Sequence, residues 1–259
     1  MPKLAANLTM MFTELPFADR FAAAGAAGFK GIECLAPYEL PIETFKAALE
    51  GSGARMVLFN CPPGNWAAGD RGMAADPERV AEFRASFDAA LAYAAAVDCP
   101  RLHVMSGLVR PGEDRARWID TYVANLAYAA DRVASLDVDL LIEPINSRVD
   151  MPRYLVDRTD LAMEIIGRVG SAKVRLQYDI YHMQIMEGDL LRSIERLLPH
   201  IGHIQLADNP GRNEPGTGEI NYAHILPALD RLGYDGWVGC EYRPAGETLA
   251  GLGWAKDFI

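Results

Sequence analysis

The sequence predicts an α/β chain folded as a single-domain (β/α)8 TIM barrel over residues 1–259, and three observations predict it. Short apolar runs alternate with longer stretches whose apolar residues recur at three- and four-residue spacing. Eight such alternations fit into 259 residues, the size of a closed parallel barrel. An open doubly wound sheet would more often show a glycine-rich phosphate turn after an early strand. Here "GAAGFKG" comes before the second strand instead.

The elements follow in order. "KLAANLTM" (3–10) reads as the first strand, and "FADRFAAAGAAG" (17–28) as a helix closing on glycine. "FKGIECL" (29–35) precedes "IETFKAALEGSG" (42–53), which also closes on glycine. "ARMVLFNC" (54–61) is a continuous apolar run, as a strand buried on both faces requires. The helix after it is expected from the Asp-Pro start at 76 to residue 97. "RLHVMSG" (101–107) leads to a helical pattern over 114–136, and "DLLIEPIN" (139–146) to one over 159–169. "VRLQYDI" (174–180), "IGHIQLAD" (201–208) and "GWVGCEYR" (236–243) are the remaining strands. Helices are expected at 188–198, 221–233 and 247–259. Three long irregular stretches, 62–76, 147–158 and 208–220, each follow a strand, which in a barrel puts them on the catalytic face.

Composition narrows the function. Asp and Glu number 35 against 25 Lys and Arg, a formal charge of −10. That argues against binding a phosphate backbone, so no nucleic-acid partner is expected. No apolar run reaches membrane-spanning length, and the N-terminus is a poor signal peptide, so the expectation is a cytoplasmic protein without a membrane partner. Cys34, Cys61, Cys99 and Cys240 show no C-x-x-C spacing and lie near apolar runs, as reduced, buried cysteines do. A homo-oligomer is compatible with all of this.

In "LLIEPIN" (140–146) a carboxylate, Glu143, ends an apolar run, and Pro144 cannot continue a ladder. Asp179 in "LQYDIYH", Gln205 in "HIQLAD" and Glu241 in "GCEYRP" hold equivalent places on the next three strands. Taken singly, a strand-end glutamate is more often a loop hydrogen-bond acceptor than a ligand. Four oxygen-bearing side chains converging on one barrel mouth make a site. Three carboxylates in one small cavity either split their pKa values or share a cation. An oxygen-rich set suits Mg²⁺ or Mn²⁺ better than zinc. His182 is placed in the turn leaving the sixth strand, within reach of a substrate hydroxyl. His103 lines the site from the fourth strand, and His203 shares the inward face with Gln205. Arg212, in the 208–220 loop, and Arg148 and Arg243, each a few residues past a proposed ligand, are candidates for holding a substrate carboxylate.

The chain resembles the hydroxypyruvate isomerase family of xylose-isomerase-like TIM barrels, over nearly its whole length. The likeness runs through "AANLTMMFTELPF", "GFKGIE", "LIEPIN", "QYDIYHMQ", "HIQLADNPGRNEPGTGEINY" and "GYDGWVGCEYRP", and "ADNPGRNEPGTGEINY" is its most specific part. The resemblance implies a divalent metal held by Glu143, Asp179, Gln205 and Glu241, with Glu143 and Glu241 as the proton-transfer pair. Related epimerases often have histidine where this chain has Gln205, which points to the isomerases. The implied reaction interconverts hydroxypyruvate and tartronate semialdehyde through a cis-enediolate. A 2-oxo-tetronate isomerase, a ketose 3-epimerase and a non-catalytic sugar-acid binding protein are the alternatives. An apurinic-site endonuclease would want a histidine-rich zinc site and a basic face.

Overall fold

The computed structural model describes residues 2–259. Eight parallel strands close into a barrel in sequence order: β1 (Lys3–Asn7), β2 (Gly31–Cys34), β3 (Arg55–Asn60), β4 (Arg101–His103), β5 (Asp139–Ile142), β6 (Val174–Asp179), β7 (Ile201–Leu206) and β8 (Trp237–Cys240). Closure is made by β1 against β8, with Leu4 opposite Val238 and Ala6 opposite Cys240. Helices α1 (Phe17–Ala26), α2 (Ile42–Ser52), α3 (Val80–Ala96), α4 (Arg115–Arg132), α5 (Thr159–Val169), α6 (Ile180–Met186), α7 (Leu190–Leu197) and α8 (Tyr222–Arg231) connect them. Among the described residues no helix is long and apolar enough to cross a membrane.

Two apolar layers hold the barrel. The larger lies between strands and helices, where Phe45 meets Phe21 and Phe59 edge-on at ring separations of 5.7 and 6.3 Å. The smaller fills the barrel's interior, where Ala5, Val57, Leu58 and Leu141 pack with Trp237. Close approach there leaves no room for a side chain at Gly31, whose added Cβ would lie 2.6 Å from the Trp237 ring. A Cβ at Gly239 would fall 2.2 Å from a carboxylate oxygen of Glu33, so β8 needs glycine where Glu33 lies across the interior.

Several expectations need correction. The strands are shorter than their apolar runs. β5 stops at Ile142 rather than 146, and β8 at Cys240 rather than 243, because the chain leaves the ladder where Glu143 and Glu241 turn into the mouth and Pro144 lacks a donor. The expected turn after β6 is helical. α6 begins directly on Asp179, whose Oδ1 accepts from Tyr181 N (2.7 Å) and His182 N (3.3 Å), so His182 sits in the first turn of a helix. α3 starts at Val80, not 76. Asp76 instead accepts from Glu78 N at 2.9 Å and pairs with Arg110 at 2.6 Å, forming a turn ahead of the helix. The expected C-terminal helix is a 3-10 segment, Leu249–Ala255, in a stretch where Gly251 and Gly253 weaken α-helix formation.

Candidate active site

The four strand-end residues meet at the carboxyl end of the barrel, all buried: Glu143 just past β5, Asp179 ending β6, Gln205 in β7 and Glu241 just past β8. A cavity of about 870 Å³ opens above them, lined in its depths by Glu143, His103, His182, Arg212, Glu241 and Asp150. Asp179 and Gln205 are not among its lining residues. Among the described residues, Glu143 Oε1 and Asp179 Oδ2 are buried without a hydrogen-bond partner. Ligand atoms of Glu143, Asp179 and His182 lie within 4.8 Å of one another. Two buried, undonated carboxylate oxygens side by side are costly unless protonated or joined by a cation, so the donor set fits a divalent metal.

The other half of the set is engaged differently. Glu241 Oε1 accepts from Arg212 Nη2 at 2.6 Å, and Glu241 Oε2 accepts from Gln205 Nε2 at 2.6 Å. Gln205 Nε2 also donates to Glu33 Oε1 at 2.7 Å, while Gln205 Oε1 accepts from Gln177 Nε2 at 2.6 Å. To offer its carbonyl oxygen to a cation, the Gln205 amide must turn.

Electrostatics follow burial. Burial, then the neighbouring Glu241 and Asp179 charges, push Glu143 well above the ordinary carboxylate range. Burial raises Glu241 to about 8 and Asp179 to about 6, each against the opposing pull of Arg212. Burial lowers His103 to about 3. Burial, then the Arg212 and His103 charges, hold His182 well below the ordinary histidine range. This is a site whose carboxyls resist ionising until something cationic arrives, and whose imidazoles resist protonation with or without it.

His103 reaches Glu143 from β4, its Nδ1 3.5 Å from Glu143 Oε2 and 3.3 Å from Asn60 Oδ1. Its Nε2 is buried with no partner among the described residues. His182 Nε2 lies 3.9 Å from Glu143 Oε1 and 3.7 Å from Asp179 Oδ2. Arg212 is 7% exposed, lies over the Tyr181 ring at 5.0 Å and has φ 53°, a left-handed backbone that a non-glycine residue adopts at a cost. The loop that imposes it is tied down by Asp208, whose carboxylate accepts from the backbone N–H of Asn209, Gly216, Gly218 and Ile220. Of the three candidate arginines, Arg212 is buried in the depths of the cavity and Arg243 is exposed along its wall. Arg148 is exposed, donates to Ile185 O and does not line the cavity.

Sequence reasoning missed a second polar group inside the barrel. Glu33, fully buried, accepts from Asn7 Nδ2 (2.9 Å), Gln205 Nε2 (2.7 Å) and, at its other oxygen, faces His203 Nε2 (2.7 Å). The signal was available: Glu33 interrupts the apolar run "GIECL" as Glu143 interrupts "LLIEPIN". Asn146, Asp150, Asn60, Arg20 and Arg71 also surround the cavity or its lining residues and carried no local pattern.

The xylose isomerase-like TIM barrel family model matches residues 21–258. A 2-oxo-tetronate isomerase of Cupriavidus necator is 50% identical over 259 residues, covering 100% of this chain and 99% of that protein. The hydroxypyruvate isomerase of Escherichia coli is 43% identical over 258 residues, covering 100% of both. A crystal structure from Brucella melitensis, named an AP endonuclease of family 2, is 46% identical and superposes with a TM-score of 0.97, covering 100% of this chain and 99% of that one. The chain belongs to the xylose isomerase-like TIM barrel family and is an isomerase.

Proposed function

We propose that the protein moves the carbonyl group between C2 and C3 of a short 2-oxo acid bearing a hydroxyl at C3, with Glu143 and Glu241 as its proton-transfer pair. The observation behind this reading is the pair of undonated carboxylate oxygens, Glu143 Oε1 and Asp179 Oδ2, buried beside a second glutamate that donors already hold. In the reaction one proton leaves C3 and one arrives at C2, while a hydroxyl proton passes from O3 to O2. The shared intermediate is a cis-enediolate. Glu143 takes the carbon-bound proton, and it or Glu241 returns one at the neighbouring carbon. Bound by Glu143, Asp179, Gln205 and Glu241, a Mg²⁺ or Mn²⁺ ion supplies positive charge against the negative charge that grows on the substrate oxygens. Arg212, with several N–H donors, meets the substrate carboxylate and the C2 oxygen next to it, and His103 and His182 meet its oxygens.

Hydroxypyruvate, giving tartronate semialdehyde, and 2-oxo-tetronate undergo this same shift. The 50% identity to a 2-oxo-tetronate isomerase, against 43% to a hydroxypyruvate isomerase, favours the four-carbon acid, with hydroxypyruvate as the second reading. The test is incubation of metal-loaded protein with both acids and with ketoses in deuterated water. Isomerised acid carrying deuterium at the new C–H is expected. Epimerised ketose, or acid recovered without exchange, overturns the proposal.

A further inference from the structure

His182 poses a choice. Its Nε2 stands close enough to Glu143 and Asp179 to be a third ligand for a cation, or it is an N–H donor aimed at substrate. An imidazole nitrogen with a proton cannot ligate, so the tautomer decides. The tautomer is set on the far side of the ring. Asn146 is fully buried, and every polar valence of its side chain is engaged. Asn146 Oδ1 accepts from Val149 N at 3.0 Å and Asp150 N at 2.9 Å. Those two backbone donors fix which end of the amide is oxygen, because the flipped amide would set N–H against N–H. The NH₂ group must then be Nδ2, which contacts Asp150 Oδ2 at 2.5 Å and His182 Nδ1 at 2.7 Å. Nδ1 therefore accepts, the ring is neutral, and the proton is on Nε2.

A second contact bears on the same ring. Arg212 Nη2 lies 3.4 Å from His182 Nε2 with an N–H directed at it, as toward an acceptor. A neutral imidazole cannot accept at both nitrogens, and the Asn146 contact, at 2.7 Å and fixed by two backbone donors, is the stronger. With Nε2 protonated the Arg212 N–H turns off that line, and the two donors share a target: a single oxygen placed above both. We infer that Asn146 is a positioning residue that holds His182 as the Nε2–H tautomer, making His182 and Arg212 a two-donor clamp for the substrate oxygen that becomes negative, and excluding His182 from the metal's ligands. The clamp rests on the reaction proposed above; the tautomer does not. With imidazole excluded, the remaining ligands are all oxygen, and a hard cation is favoured over zinc.

The experiment is a long-range ¹H–¹⁵N correlation spectrum of uniformly labelled protein, with and without Mg²⁺, in which the rings of the five histidines are resolved and His182 is assigned by its loss in His182→Gln. Expected is a pyridine-type Nδ1 and a pyrrole-type Nε2 in both states. A pyrrole-type Nδ1, or two protonated nitrogens, overturns the inference without any variant. The paired exchange Asn146→Asp with Asp150→Asn keeps charge and shape and turns the group facing Nδ1 into an acceptor. It should invert the tautomer and lower kcat by roughly 10²-fold, the cost of one lost oxyanion donor. An inverted ring with unchanged kcat removes the clamp. An Nε2–H ring in a protein that turns over no 2-oxo acid defeats the proposed reaction and leaves the tautomer assignment standing.

Discussion

Glu33 and Glu143 are both buried glutamates of one barrel interior, and the barrel treats them oppositely. Glu33 is met by Asn7, Gln205 and His203, all within 2.9 Å. Glu143 Oε1 has no donor among the described residues, and neither has Asp179 Oδ2 beside it. A buried carboxylate that is fully donated is part of the fold's own structure. One that is left undonated costs stability, and its exposure to a cavity of about 870 Å³ marks where a ligand compensates. Gln205 ties Glu33 to the other glutamate of the site, touching Glu33 and Glu241 with the same amide nitrogen.

The largest effect that would break this comparison is on stability. Glu33→Ala leaves Asn7, Gln205 and His203 without their acceptor, and should cost about 3–5 kcal/mol, as breaking a buried pair does. Glu143→Gln removes a carboxylate with an undonated buried oxygen and should leave the metal-free protein as stable as before, or more so. Urea unfolding of both variants in chelator measures the contrast. Equal losses in the two would mean that Glu143 is structural as well.

Activity should invert that order. Glu143→Gln and Glu241→Gln keep size and one ligand oxygen but lose the base. Each should lower kcat by roughly 10² or more, with deuterium exchange falling in step. Metal content measured beside kcat separates the roles: a fully metallated variant with near wild-type rate leaves the proton-transfer pair.

Much of this was legible in the sequence, for identifiable reasons. Periodicity and length place all eight strands, because strands buried on both faces are continuous apolar runs. Within such runs a lone Glu or Asp stands out, and Glu143, Asp179 and Glu241 were found that way. Strand ends were less legible: apolar character continues past Ile142 and Cys240 into residues that are buried without being in the ladder. α6 was missed because "IYH" suits a strand as well as a helix, and only the Asp179 cap settles it. Asn146 and Asp150 look like ordinary loop residues. Their role depends on a ring 36 residues away from Asn146, a contact that no local pattern records.

A smaller effect tests Arg212. It holds Glu241 Oε1 and faces the same cavity as His182. Arg212→Ala should raise KM for a 2-oxo acid roughly tenfold or more, the worth of a hydrogen bond to a charged group. An uncharged hydroxy-ketone analogue should show a clearly smaller rise, since the loss at Glu241 is common to both. Equal rises would assign carboxylate recognition to another cation, with Arg243 on the cavity wall as the next candidate.

The finest contrast is in pH dependence. A carboxyl whose pKa is raised by folding stabilises the protein fully below its unfolded value, and that contribution is lost as pH rises through the folded value. Glu143 and Glu241 behave so, Glu241 titrating at about 8 and Glu143 also well above the ordinary range. His103, lowered to about 3, and His182 act in the opposite sense: their contribution is present above the unfolded histidine value of 6.5 and is lost as pH falls. Asp179, raised to about 6, has mostly ionised in both states by pH 7. From about pH 6.5 to 8, Glu143 and Glu241 are thus the site groups that set the slope. In chelator, unfolding free energy should fall over that window by on the order of 1 kcal/mol per pH unit. Saturating Mg²⁺ binds the ionised carboxylates, so it should flatten the fall and release protons in proportion. Glu143→Gln should roughly halve the fall without metal, Glu241 keeping the rest. A chelator profile that rises across the window would mean that Glu143 is held ionised despite its undonated Oε1, and the contrast drawn from that oxygen would be lost.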